Sequence, residues 1–288
     1  MERLFGEGPA PGQALESEPG LHNVIGMERS FANSDATMNF LLENTPFYGI
    51  KGLSTKIYRR LMDPFLDSRP GSATALDAGC GIGRFTIELA ERFSKVVALD
   101  ASPSSLRACR ENLDQRHLQN VDLHWADLTA LDQCPAGVFD VVLGMEVICY
   151  TAKPEESLAR LTRVAKPGGL IIISVEGRPG SFCAQGAGSL TAFHEALNGE
   201  PVIETNDRFV IYLTAGQLGE MFRKTGLKPL TIEGSHYFGE GPFWQNIDDR
   251  RLSEPEYTEK ILQLEAECRN DPVLAPWARV FSAVGIKA

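Results

Sequence analysis

The sequence predicts an α/β fold, a mostly parallel sheet with helices on both faces, preceded by a helical cap and interrupted by an insertion. Three observations carry that expectation. Apolar runs of strand length alternate with helical patterns through the middle of the chain, and such alternation implies right-handed crossovers between parallel strands. Within it, Ala75-Leu-Asp-Ala-Gly-Cys-Gly-Ile-Gly-Arg-Phe-Thr86 reads as a buried strand that bends through three glycines straight into a helix. Beyond Ser174 the regular patterning then stops for about 38 residues, 176–213. A structureless stretch of that length in a compact domain usually serves function.

At 288 residues, 43% hydrophobic and 23% charged, the chain is long enough for one large domain with an insertion. Residues 1–20 are rich in Gly, Pro and Glu and read as flexible, without the basic region and apolar core of a secretory signal. No run of 18 apolar residues occurs, so no membrane span is expected. Residues 21–70 are read as the cap. Over 30–42, Phe31, Met38, Phe40, Leu41 and Leu42 suit an amphipathic helix with Asp35 as its cap, and 46–53 reads as a loop carrying Phe47 and Tyr48. Ser54 is then expected to cap a second helix with Ile57, Tyr58, Leu61 and Phe65 on one face.

Gly79, Gly81 and Gly83 let the backbone turn tightly and leave no side chain between the loop and a ligand. Such a bend belongs at the carboxyl edge of a parallel sheet, where open α/β folds bind ligands. Its G-x-G-x-G spacing is out of register with the G-x-G-x-x-G of dinucleotide folds. With Asp77 ahead of it, the motif resembles the first motif of the class I methyltransferases that use S-adenosylmethionine (SAM), as in bacterial small-molecule enzymes of type 11.

Four further segments follow in that family's order. Val96-Val-Ala-Leu-Asp100 is an apolar run ending in an acid about 20 residues past the loop, where a carboxylate can accept bonds from both ribose hydroxyls. Leu123-His-Trp-Ala-Asp127-Leu128 supplies an acid that, in the family, meets the adenine amino group. Phe139-Asp-Val-Val-Leu-Gly-Met-Glu146 is a fourth strand leading to the catalytic face, and Val164-Ala-Lys-Pro-Gly-Gly-Leu-Ile-Ile-Ile-Ser174 is a helix end, a turn and a fifth strand. The resemblance is close over 70–176 and looser beyond. It implies a seven-stranded Rossmann-like sheet over 71–288, its last strand antiparallel beside the sixth, with SAM as cofactor and S-adenosylhomocysteine (SAH) as product. The cofactor-binding residues it points to are Tyr48, Asp77, Gly79, Cys80, Gly81, Asp100, Ala101, Asp127, Leu128 and Met145.

Inside the alternating section, Ser102 and Pro103 open a helix buried through Leu106, Cys109 and Leu113, and Pro154 opens another through Leu158, Leu161 and Val164. The insertion 176–213 carries Phe182, His194, Phe209 and Tyr212 and a short helix near 191–197; it reads as a lid over the acceptor or, alternatively, as a homodimer contact. Thr214 and Gln217 form a capping box, Leu218, Met221 and Phe222 face inward, and Gly226 stops that helix. A sixth strand over 229–233, an aromatic segment over 236–244, an acidic solvated helix around Ile261, Leu262 and Leu264, and a last strand over 278–286 complete the reading.

Methyl transfer by in-line attack asks mainly for positioning and exclusion of water. A hydroxyl or ammonium acceptor must also lose a proton, and histidine is the commonest base. Family members often carry histidine after the fourth strand, in a sequence like E-V-L-E-H, whereas here Glu146-Val-Ile-Cys-Tyr150 ends in tyrosine. Tyr150 is therefore a candidate to orient the acceptor or touch the sulfonium with its ring, with packing as the alternative. His194 and His236 are the other base candidates, each open to a merely structural role. Glu146 and Glu176, near the ends of strands four and five, either hold an amine or hydroxyl or cap nearby backbone.

A net charge of -10 argues against nucleic-acid partners. The six cysteines, at 80, 109, 134, 149, 183 and 268, form no C-x-x-C pair and no zinc-like group with the five histidines, so reduced thiols in the cytoplasm and no metal are expected. The expected activity is methylation of a small-molecule acceptor at O, N or C. A peptide methyltransferase and a non-catalytic SAM-binding module are the alternatives. An NAD-dependent reductase is disfavoured by the loop spacing and by the missing Tyr-x-x-x-Lys motif.

Overall fold

The computed structural model of the chain describes residues 23, 24, 28, 49–185, 190–203 and 209–288. The flexible lead over 1–20, the helix expected over 30–42, and Tyr48 lie outside these residues. The first described helix, α1, spans Gly49–Leu66 and buries Leu53, Ile57, Tyr58, Leu61 and Met62. It overturns two expectations. The segment read as a loop up to residue 53 is helical from Gly49 onward, and Ser54 lies inside the helix rather than capping it. Ser54 is buried and its hydroxyl pairs with the ring of His236 at 2.9 Å, a partner 182 residues away that local reading does not supply.

The sheet elements then alternate as expected: β1 (Thr74–Ala78), α2 (Arg84–Arg92), β2 (Lys95–Asp100), α3 (Pro103–Gln115), β3 (Val121–Trp125), β4 (Phe139–Met145), α4 (Pro154–Val164) and β5 (Ala165–Glu176). Ser102 caps α3 by accepting from the Ser105 amide, with Pro103 in the first turn. The Pro-Gly-Gly run does not separate a helix from β5. It sits within the strand as an irregularity where the register against β4 shifts between Phe139 and Val141.

The described residues of the insertion are structured. It holds α5 (Arg178–Gln185), α6 (Leu190–Leu197) and a two-residue ribbon pairing Val202–Ile203 with Phe209–Val210. After it come α7 (Ala215–Lys224), β6 (Leu227–Ser235), α8 (Pro255–Asn270) and β7 (Val280–Lys287). The capping box at Thr214 and Gln217 is present, and Leu218, Met221 and Phe222 are buried. Helix α8 is not a wholly solvated face, since Thr258, Ile261, Glu265 and Cys268 are buried. Glu265 accepts from the amides of Tyr237, Phe238 and Gly239, so it fixes the aromatic segment behind β6.

The seven strands are ordered β3-β2-β1-β4-β5-β7-β6. The first five run parallel, and β7 enters antiparallel between β5 and β6. Successive side chains on a strand point to opposite faces, so one core gathers Leu76, Val97, Val142, Ile171 and Phe222. The other gathers Tyr58, Ala75, Leu89, Val96, Leu113 and Val141. Both faces being covered explains why β7 shows only a loose alternation, for Val280, Phe281, Ser282, Ala283 and Val284 are all buried. Strand order reverses at β1, which pairs with β2 on one side and β4 on the other. The carboxyl ends of β1 and β4 thus flank the crevice in which open sheets of this kind bind ligands.

Candidate active site

The glycine bend is built at that crevice. The amides of Gly79 and Cys80 both donate to the Leu99 carbonyl, at 2.8 and 3.0 Å, which folds the loop over the end of β2. Gly79 takes φ +74, and a Cβ there would stand 2.5 Å from Val147, so that position admits no side chain. At Gly81, φ is +53 and no atom of the described residues lies within 4 Å of where a Cβ would be. This leaves the backbone bordering open space. Asp100, at the end of β2, accepts from the Gly81 amide at 2.8 Å and from the Ser102 amide at 2.9 Å. Burial pushes its carboxyl up, and those amide bonds pull it back.

Asp77 lies beneath the loop, buried, receiving the Thr86 hydroxyl at 2.6 Å. Burial raises its pKa to about 7, with the Thr86 bond opposing and the Asp100 charge adding. Cys80 is buried beside Cys109, whose thiol, with burial, holds that of Cys80 well above its usual range, so it is not a reactive thiol. Ala101 accepts from the indole of Trp125 at 3.0 Å. Asp127 caps the short turn Leu128–Gln133 by accepting from Thr129, and Leu128 is buried. Met145 ends β4 and is buried.

Two residues from the amino-terminal side reach this region. Glu28 accepts from the Ser102 and Ser104 hydroxyls, both at 2.7 Å, and from the Ser104 amide at 3.0 Å. Burial would raise its pKa, but the serine bonds and the charge of Arg107 outweigh that and lower it. Asn23 exchanges bonds with the Phe209 backbone in both directions, at 2.9 and 3.0 Å, and donates to the Tyr150 carbonyl at 3.3 Å. The chain is therefore pinned on one side to the start of α3 and on the other to the insertion.

At the carboxyl ends of β4, β5 and β6 the structure gathers a buried polar cluster around Arg279, the residue before β7. Its guanidinium bonds Glu176 at 2.8 Å and reaches Glu146 at 3.4 Å. Glu176, fully buried, also receives the hydroxyls of Tyr150 at 2.9 Å and Ser181 at 2.6 Å. Glu146 receives the hydroxyl of Tyr58 at 2.5 Å. Although burial acts to raise its pKa, Arg279 and Tyr58 hold the Glu146 carboxyl far below the usual range. The ring of Tyr58 packs on Phe85 at 5.4 Å and on His236 at 4.3 Å, tying the cap to the helix that follows the glycines.

Of the three candidate catalytic residues, Tyr150 and His236 join this cluster, while His194 stands exposed on α6 with its ring bonded to Asn198 of the next turn. His236 is fully buried, its nitrogens 2.9 Å from the hydroxyls of Ser54 and Ser235. Burial and the nearby Arg279 lower its pKa to about 3, which keeps the ring neutral. Arg279, the hydroxyl of Tyr58, Glu28 and Asn23 are the members sequence reasoning missed. A single arginine directly ahead of the apolar run Val-Phe-Ser-Ala-Val was the available signal for Arg279.

Comparison with known proteins agrees with this geometry. A family profile described as a methyltransferase domain matches residues 76–173. The chain is 32% identical over 180 residues to a ubiquinone biosynthesis O-methyltransferase of Cereibacter sphaeroides, an alignment spanning 62% of this chain and 69% of that one. Among solved structures, an SAM-dependent methyltransferase from Mesorhizobium loti superposes with a TM-score of 0.53 at 17% identity, covering 78% of this chain and 97% of the other. The 1,6-didemethyltoxoflavin-N1-methyltransferase of Burkholderia thailandensis, bound to 1,6-didemethyltoxoflavin and SAH, does so with 0.53 at 16%, covering 99% and 94%. With the glycine bend, the strand order and these relatives in agreement, the chain belongs to the class I SAM-dependent methyltransferases.

Proposed function

We propose that this methyltransferase acts on a small-molecule acceptor, at O, N or C, bound at the carboxyl edge of the sheet with residues 176–213 as its lid. One observation carries the reading. The Gly81 amide and the Asp100 carboxylate meet at 2.8 Å on the border of a space that no described side chain fills at Gly81. That combination suits an adenosyl ligand, because Asp100 has lone pairs beyond those its amide bonds occupy and the bend brings bare backbone to the same place. In this reading Asp100 and Ala101 hold the ribose, Asp127 and Leu128 border the adenine, and Gly79, Cys80, Gly81 and Met145 line the methionyl end. Asp77 supports the loop from below, and Tyr48, from the cap, covers the ligand.

When bound, SAM supplies a methyl group on a positively charged sulfur. The chain's own part is positioning and exclusion of water. In this reading Tyr150, fixed through Glu176, orients the acceptor. His236 serves the frame, since both its nitrogens are engaged and its ring is neutral. The name of the Cereibacter sphaeroides relative supports a small molecule over a peptide. Buried thiols outside any disulfide at Cys80, Cys109, Cys134, Cys149 and Cys268 support a reducing compartment, the cytoplasm. No described helix is long and apolar enough to cross a membrane. A homodimer through the lid remains the competing use of that segment, and sedimentation of the purified chain distinguishes the two.

The test joins binding to turnover. Titration calorimetry should detect SAH binding that Asp100→Ala abolishes, and tritium from methyl-labelled SAM should enter a small-molecule extract only with the intact chain. Binding without transfer to any small molecule sinks the reading in favour of a peptide acceptor or a non-catalytic module.

A further inference from the structure

Resting on the reading of Tyr150 just given, we propose that Glu176 is a positioning residue for the transfer. It couples Tyr150 to the root of the insertion, so that the tyrosine is aimed only while that root is assembled on the sheet. Glu176 is the last residue of β5, and the insertion departs from there. Its side chain is fully buried. A buried carboxylate is a poor source of stability, because desolvation offsets most of what its partners return. What distinguishes this one is the set of partners it collects.

Each oxygen serves a different part of the chain. Oε1 receives the Tyr150 hydroxyl at 2.9 Å and the Arg279 guanidinium at 2.8 Å. Oε2 receives the hydroxyl of Ser181, a fully buried residue of α5, at 2.6 Å. The backbone carbonyl of Glu176 accepts from the Leu213 amide at 3.0 Å, where the insertion returns. Entry and exit are joined again by the Arg178 amide on the Leu213 carbonyl at 3.2 Å and by a parallel bridge between Gly177 and Leu213. One residue thus holds the outgoing helix, the returning chain and the tyrosine.

The root has little room to shift. A Cβ at Gly177 would stand 2.5 Å from the Ala278 carbonyl oxygen, and one at Gly180 would run into the backbone of Trp277 and Ala278. The start of α5 therefore lies backbone against backbone on the segment before β7. Tyr150 is only partly buried, at the end of the short turn Ile148–Tyr150. Its ring packs at the seam between the main core and the small cluster of Ala196, Val202, Val210 and Tyr212 in the insertion. Holding such a side chain in one orientation costs rotamer entropy, which the bond to Glu176 offsets. Coupling between two parts is reciprocal, so what the root does for Tyr150 the Tyr150 hydroxyl does for the root.

The test is a double-mutant cycle between the two hydroxyls that share Glu176. Truncating Glu176 itself would strand Arg279, so Tyr150→Phe and Ser181→Ala are used; phenylalanine keeps the ring. With SAM saturating and a small-molecule extract limiting, the initial rate of tritium transfer is proportional to kcat/KM, so ratios between variants need no acceptor concentration. Tyr150→Phe should lower that rate about tenfold and Ser181→Ala about three- to tenfold. The double variant should transfer within about twofold of Tyr150→Phe alone, because without the tyrosine hydroxyl Glu176 has no route to the acceptor. SAH affinity by calorimetry should stay within about twofold of wild type throughout, which a general loss of fold would not allow. Losses that multiply, or Ser181→Ala transferring at the wild-type rate, overturn the proposal and leave the reading of Tyr150 standing. Wild-type transfer by Tyr150→Phe overturns both. Where no component of the extract is methylated, hydrogen exchange with SAH bound decides: Tyr150→Phe should speed exchange of the α5 amides about three- to tenfold, and unchanged exchange there overturns the proposal.

Discussion

Replacing Asp77 with asparagine should make the protein more resistant to unfolding at alkaline pH while leaving its stability in acid nearly as it was. Asp77 is buried, and its pKa stands at about 7 against 3.8 in the unfolded chain. The native state therefore binds the proton more tightly than the unfolded state does. Stability from this group is complete below the unfolded value and is lost as pH rises through the native one. About three units at 1.36 kcal/mol each come to about 4 kcal/mol, of which about 3 kcal/mol falls between pH 5 and 8.5. Asparagine keeps the shape and can still accept from Thr86, so the variant removes the titration with little else changed. Urea unfolding without ligand, at pH 5 and at 8.5, gives two free energies for each protein. The difference between variant and wild type should grow by about 3 kcal/mol over that interval, and other titrating groups cancel in it. A difference that stays constant would mean that Asp77 is ionised throughout and that the account of its burial is mistaken.

Two further outcomes follow from the same framework. Gly79→Ala puts a Cβ 2.5 Å from Val147 at a φ of +74; a loss of roughly 2–5 kcal/mol in unfolding free energy is expected, and adding Val147→Ala should return only the part due to contact. His236, with a native pKa of about 3 against 6.5 unfolded, favours the folded state above pH 6.5 and ceases to do so as pH falls toward 3. His236→Gln should flatten the acid limb of the stability profile, and an acid limb as steep as that of wild type would refute the neutral ring.

What the sequence disclosed was local. The three glycines, the Ser102-Pro103 start and the Thr214 capping box each complete their geometry within a few residues, and all three appear in the structure. Ser54 failed for the opposite reason, because its choice between capping and burial depends on His236, 182 positions away. Helix α8 looked solvated because its charges dominate its composition, yet Glu265 turns inward to collect three loop amides. The cluster around Arg279 joins residues from α1, β4, β5 and the start of β7, and no spacing rule links them. Tyr150 and His236 were legible as candidates by type and position, but their present hydrogen-bond partners were not.

The place of β7 carries a kinetic consequence. Its partner on one side, β5, lies more than a hundred residues earlier, with Glu176 opposite Val280. The parallel half of the sheet can assemble from near neighbours, but β5 must wait for a distant segment before its outer edge is covered. During that interval an unpaired and largely apolar strand, with Leu170–Ile173 at its centre, is open to any other chain. Refolding yield should therefore fall steeply with protein concentration, and variants that weaken β7 should aggregate before they lose helical content.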